Sequence, residues 1–288
     1  MSKPIYALSS IARPLEPQYP TNLAMLILLP IIAVVFGGLS VALNGSGLLD
    51  AALDGVWMML AGFVVWAMGR EIDPDRNATA FIALPVFLIA ASLGQDHALL
   101  TAAATLMAMR VVNRCVGNPL RAGDRFLVTA LAAGSVFVDG MWAMGLVVAI
   151  ALALDTLFDR KQTLNLVFAM ISLSFSAWHL IEVEGDFAAL TLDRVMALDT
   201  TQMAVTGALL ALGLVFVLIL PALKSVGDAT GQPLSRPRVR GGGVILLLAA
   251  AASTLAPVQA NGTVWLEVSA LYAVIVGFVL GRFWPQRG

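Results

Sequence analysis

Charge is scarce in this chain. Of 288 residues only 12% are Asp, Glu, Lys or Arg, about half the ~25% usual in a soluble domain. That shortage excludes an ordinary soluble globule and gives no reason to expect a nucleic-acid partner. Cysteine is scarcer still. The single Cys115 excludes a disulfide framework, a CxxC pair and cysteine-based zinc spacing. His97 and His179 are the only histidines, too few for a multi-histidine metal centre. No Walker loop, dinucleotide fingerprint or haem-binding histidine pair is present, and no apolar run carries a charge at its midpoint.

What the chain does have is apolar length. It is 59% hydrophobic with a mean hydropathy of +0.89. Its apolar runs recur at lengths near the roughly 20 residues that cross a hydrocarbon core of about 30 Å at 1.5 Å per residue. The segments of about ten residues with alternating polarity that mark a membrane β-barrel are missing. The expected fold is therefore an all-α polytopic membrane protein, with about ten transmembrane helices in successive hairpins and both termini cytoplasmic. The expected spans are 22–43, 50–69, 78–93, 97–111, 126–138, 140–157, 164–181, 201–220, 242–257 and 264–282.

Charge decides the one ambiguous stretch, 126–157, which reads as one long helix or as a hairpin broken at Asp139-Gly140. With a hairpin, sixteen of the seventeen basic residues fall on the N-terminal side and only Arg194 lies opposite. With a single helix every later loop changes sides and the bias collapses, so the positive-inside rule selects the hairpin. Ten acidic residues then lie on the outer side, among them Asp96, Asp139 and Glu182, and both histidines join them. The basic loops face anionic headgroups of the bilayer, and the expected location is a bacterial cytoplasmic (inner) membrane. The chain divides into an arm at 1–21, an eight-span body at 22–220, a basic linker at 221–241 rich in Pro and Gly, and a terminal two-span hairpin at 242–288. The outer segment 182–200 suits a short interfacial helix.

Candidate chemistry gathers in two places on the cytoplasmic side. In Arg70-Glu71-Ile72-Asp73-Pro74-Asp75-Arg76-Asn77 three carboxylates stand within five residues. Glu71, Asp73 and Asp75 could hold Mg²⁺, which takes one or two carboxylates plus substrate phosphate, with Arg70 and Arg76 on phosphate oxygens. The alternative is a self-neutralising turn at a helix end. Asp155 and Asp159 stand at i,i+4 and share one helix face; their alternative is a pair of helix-end carboxylates neutralised by Arg160 and Lys161.

Two acidic sites after the second and sixth spans resemble the layout of the UbiA-type prenyltransferases. That resemblance implies aspartate-rich cytosolic motifs that bind magnesium and a substrate diphosphate. It covers these two loops only. The family's first motif sets aspartates four residues apart, whereas Asp73-Pro74-Asp75 does not, the family's loops are longer and its usual span count is nine.

On the outer side, Asp96, His97, Asp139, His179 and Glu182 are candidates for a cation or solute site, since histidine titrates near neutrality and low-dielectric surroundings raise carboxyl pKa values. Ser172, Ser176 and His179 follow i,i+4,i+7 along one face, which suits either a serine–histidine–acid arrangement with Asp96, Asp139 or Glu182 or close helix packing. Three functions follow as expectations. The first is a small permease for a cation or small solute. The second is a non-catalytic membrane subunit whose partner is another membrane protein or a second copy of the chain. The third is a Mg²⁺-dependent transferase acting on a phosphorylated polyprenyl-type lipid, and only this one needs a cofactor.

Overall fold

The computed structural model describes residues 4–92, 99–183, 200–254 and 269–284. Residues 184–199 of the expected interfacial helix at 182–200, and Asp96 and His97, lie outside the described residues. The described residues form eleven helices: α1 Pro4–Leu8, α2 Pro20–Asn44, α3 Leu48–Ile72, α4 Asn77–Ser92, α5 Leu99–Asn113, α6 Ala122–Phe137, α7 Met144–Phe158, α8 Leu164–Val183, α9 Thr200–Leu218, α10 Arg236–Thr254 and α11 Ser269–Gly281. Among them the only β pairing is one isolated bridge, Val226 with Pro233.

Each of the ten apolar runs holds a helix. Three of these, Pro20–Asn44, Leu48–Ile72 and Leu164–Glu182, are long and apolar enough to cross a membrane; α4, α5, α7, α11 and much of α9 are apolar but shorter. The doubtful stretch at 126–157 breaks as the charge argument requires. The α6 helix ends at Phe137, Gly140 takes a left-handed φ of 70°, and α7 begins at Met144. One boundary moves. Residues 236–240, expected in the linker, are the first turn of α10, which puts Arg238 and Arg240 on a helix.

The α5 helix is the axis of the fold. It packs on α3, α6, α7 and α10, and every residue from Ala108 to Asn113 is buried. A helix covered all round belongs in a core. The α2 helix is its opposite: it packs chiefly on α3 and leaves Ile27, Ile31, Val34 and Val35 uncovered. The α2–α3 contact is backbone to backbone, since a side-chain carbon at Gly55 would collide with the Ala33 carbonyl. The last helix, α11, returns to the start of the chain and packs on α4 and α3.

The loops sort into two ends. At one, the arm (9–13), the 73–76 turn, the 114–121 loop, the 159–163 turn and the 219–235 segment are tied to one another by hydrogen bonds and ion pairs. These are the segments that the charge census groups on one side, and this end is called arginine-rich below. The opposite end carries the short links around Ser46 and Asp139.

Candidate functional site

At the arginine-rich end, the last turn of α5 carries Arg110 and Asn113, and Arg114 follows at once. Arg114 adopts φ 49°, a left-handed conformation uncommon for a residue with a side chain. It ends α5 and turns its guanidinium away from the side that Arg110 serves. Two buried carboxylates are held there, one by each arginine.

Glu71, at the end of α3, has no exposed side-chain surface. Its Oε1 accepts from Arg110 Nε at 3.0 Å and from Arg13 Nη1 at 3.1 Å, and its Oε2 from Asn113 Nδ2 at 3.4 Å. Asn113 Nδ2 also donates to the Glu71 backbone carbonyl at 2.9 Å. Gly242 of α10 lies against this amide so closely that any side chain there would collide with Asn113 Oδ1. Arg13 continues outward to Asp228, Nε to Oδ2 at 2.7 Å. Burial works against the charge on Arg13, but Glu71 and Asp228 outweigh it and hold the guanidinium more firmly protonated than usual. Burial, reinforced by Glu71, also pushes the Cys115 thiol well up, so this cysteine stays a neutral thiol.

Asp155, near the end of α7, is equally buried. Arg114 grips it with two bonds, Nε to Oδ1 and Nη2 to Oδ2, both 2.7 Å. Arg238 of α10 adds Nη1 to Oδ1 at 2.7 Å, and Asn165 Nδ2 donates to Oδ2 at 2.9 Å. Arg114 Nη1 reaches Asp159 Oδ2 at 3.0 Å, and that hydrogen bond holds the Asp159 carboxyl below its ordinary range. The i,i+4 pair does share one face and one cation. The cation is Arg114, with Arg238 on Asp155; no ion pair joins Arg160 or Lys161 to either among the described residues.

Asp73 and Asp75 are bound elsewhere. Asp75 accepts from the Lys224 amide (2.9 Å), the Ser225 amide (2.8 Å) and the Ser225 hydroxyl (2.6 Å). Burial pulls its pKa up, and these bonds more than offset that and hold it below the usual range. Asp73 is buried with weaker partners, Arg282 at 3.6 Å and the Thr79 hydroxyl at 3.3 Å. Burial dominates and lifts its carboxyl to about 6. Among the described residues no three His, Cys, Asp or Glu side chains converge as a metal site. A Mg²⁺ ion on Glu71 or Asp155 would first have to displace two guanidiniums from either.

At the opposite end Asp139 caps the start of α5, accepting from the Thr101 amide at 2.7 Å and the Thr101 hydroxyl at 2.8 Å. Burial raises its carboxyl and these bonds only partly reverse the shift. Ser176 accepts from the Leu146 amide at 3.1 Å and donates to the Trp142 carbonyl, while Ser172 donates to Thr129 at 3.4 Å. These serines seat α8 against α6 and α7. His179 is buried beside the Phe137 ring, and Glu182 is exposed.

One cavity opens beside the Glu71 cluster, with a volume of about 430 Å³. Its walls come from the arm (Tyr6, Arg13), the start of α2 (Thr21) and the α3 face bearing Phe63, Trp66 and Arg70. The sequence signal for this site was present in Arg110, the arginine at the end of an otherwise apolar run. The arm's part had no such signal. Comparison with protein-family models, curated proteins and solved structures finds no match.

Proposed function

We propose that this chain is a ten-span protein of a bacterial inner membrane, with both termini cytoplasmic, that acts as a small permease. Its solute site is the cavity at the arginine-rich end, which in this reading is the cytoplasmic end. The observation that carries the reading is the shape of that cavity. It runs along α3 from Arg70 to Phe63, seven residues or roughly 10 Å at 1.5 Å per residue, and so reaches towards the middle of a 25-residue helix. A lining that joins charged groups to the Phe63 and Trp66 rings suits a solute that leaves water for the membrane interior.

The test needs no knowledge of the solute. In a Cys115→Ala background, Phe63→Cys is treated with a membrane-impermeant maleimide in inverted vesicles and in right-side-out spheroplasts. A permease that exposes its site alternately is labelled from both sides. Labelling from one side only, or from neither, overturns the reading. The non-catalytic subunit is a second reading, favoured by the bare apolar face of α2. It predicts that the chain co-purifies with a second membrane protein or self-associates through α2, and a stable, transport-active monomer would sink it. The Mg²⁺ transferase reading would require Glu71 and Asp155 to surrender their arginines, and nothing in the geometry favours it.

A further inference from the structure

We propose that the cavity takes a small organic anion, with one carboxylate or phosphate group on an apolar, ring-sized body. This assignment rests on the cavity being a solute site, and it names the solute's chemistry.

A cation without an ion pair and an unsatisfied donor carry it. Arg70 lines the cavity, yet no carboxylate forms an ion pair with it among the described residues. Its hydrogen bond runs from Nη1 to the Thr21 hydroxyl at 3.0 Å, and its guanidinium lies 5.7 Å from the centre of the Trp66 ring. Trp66 stands one turn away on the same helix. It is only 5% exposed, and its indole Nε1 has no hydrogen-bond partner. An orphaned buried N–H beside a guanidinium without a counter-ion calls for an acceptor that carries negative charge.

The remaining charged groups of the wall are already matched. Arg13 and Arg110 share Glu71, Arg13 also holds Asp228, and Glu16 accepts from the Gln18 amide. The wall's three arginines face three carboxylates, yet none of these forms an ion pair with Arg70 among the described residues, so the group that Arg70 would take carries one negative charge. Phe63 and the Trp66 face supply the apolar wall, and about 430 Å³ lies within the ~300–1,000 Å³ range of small-molecule sites. The acidic outer loops invite a cation by their field, but the donor set inside the cavity is built for the opposite sign. A soluble aromatic acid and an anionic lipid headgroup share this chemistry, and the test separates them.

The full-length protein carrying Cys115→Ala and Asn22→Cys, a half-buried position on the cavity wall, is placed in phosphatidylcholine nanodiscs. Its maleimide labelling rate is read with naphthoate, with neutral naphthamide, and separately in discs containing phosphatidylglycerol. Naphthoate is expected to protect the thiol at concentrations about tenfold below naphthamide, as a charge-assisted contact should. Arg70→Gln removes that preference and Arg76→Gln, outside the cavity, keeps it. Trp66→Phe keeps the aromatic wall, loses the indole donor and weakens naphthoate protection several-fold, which tests the assignment even if Arg70→Gln does not fold. Protection in phosphatidylglycerol discs that is lost in Arg70→Gln supports the same chemistry with lipid as its source. Equal protection by the amide, protection indifferent to Arg70 and Trp66, or no protection by either anion overturns the assignment. Two-sided labelling of Phe63→Cys is independent of these outcomes, so the permease reading and the anion assignment can fail separately.

Discussion

Glu71 and Asp155 invite comparison because the same parts hold both. Each is a fully buried carboxylate bound by two arginines and one asparagine amide, and each takes one arginine from the end of α5 or the residue after it. They differ in their surroundings. Asp155 sits among helix ends, and its arginines expose 11% and 12% of their side chains. Glu71 lines a cavity, and its second arginine belongs to the arm, with 22% of the side chain exposed. One cluster is a lock between helices. The other takes its outer arginine from the arm, an arrangement that suits the solute site proposed above.

The sharpest way to break that comparison is at the sealed side. Asp155→Asn leaves Arg238 without a counter-ion and Arg114 with only the partly exposed Asp159, and should cost about 3–5 kcal/mol, measured as unfolding in mixed dodecylmaltoside–SDS micelles. A stable variant would show that water reaches this cluster too.

Next is Asp73, a buried carboxylate at the same end with only a distant arginine. Its folded-state pKa of about 6 lies above the ordinary 3.8, so the folded protein holds this proton more tightly than the unfolded chain. The stability it contributes is present at low pH and is lost as pH rises from 3.8 through about 6. Asp73→Asn should therefore gain on wild type by about 2–3 kcal/mol between pH 4 and pH 7. A difference that does not change with pH would place the carboxyl in an ordinary environment.

Glu71→Gln should cost less than Asp155→Asn, about 1–2 kcal/mol, because cavity water can hydrate the freed guanidiniums. Equal costs would remove the distinction drawn above. The smallest effect is expected at Arg13→Gln, whose bonds run to a partly exposed Asp228 as well as to Glu71. It should lose under about 1 kcal/mol, while proteolysis of the arm accelerates. An intact, protected arm in this variant would show that its other bonds, among them Ser9 and Ser10 to Asp124 and Arg110 to the Ile11 carbonyl, suffice to hold it.

The helices were legible in the sequence because apolar length is a local property, and so was the break at Asp139-Gly140, because it left a trace in the charge balance. The pairing of charges was not legible. Asp155 has Arg160 and Lys161 as near neighbours in the chain, yet it pairs with Arg114 and Arg238, 41 and 83 residues away. Partners of that kind are chosen by helix packing, and no local pattern announces them. The i,i+4 spacing of Asp155 and Asp159 put the two carboxylates on one face, but it gave no sign that Arg114 would bind both. Nothing in the arm's Ser9-Ser10-Ile11 foretells that its hydroxyls seat on Asp124. Asp73 and Asp75, alike on paper, diverge because Asp75 meets three donors around Ser225 whereas Asp73 is buried with few.

The return of α11 to the start of the bundle has a consequence for how the chain is made. Arg76 donates to the carbonyls of Gly281 and Arg282, across 205 residues of sequence, and Asp73 meets Arg282 there as well. A ribosome adding ~5–20 residues per second needs roughly 10–40 s to cover that interval. For all of that time the 73–76 turn waits with its last partners not yet synthesised. Completion of the bundle is thus timed by α11, and a chain truncated before it would leave Asp73 without Arg282 and Arg76 without its carbonyl acceptors.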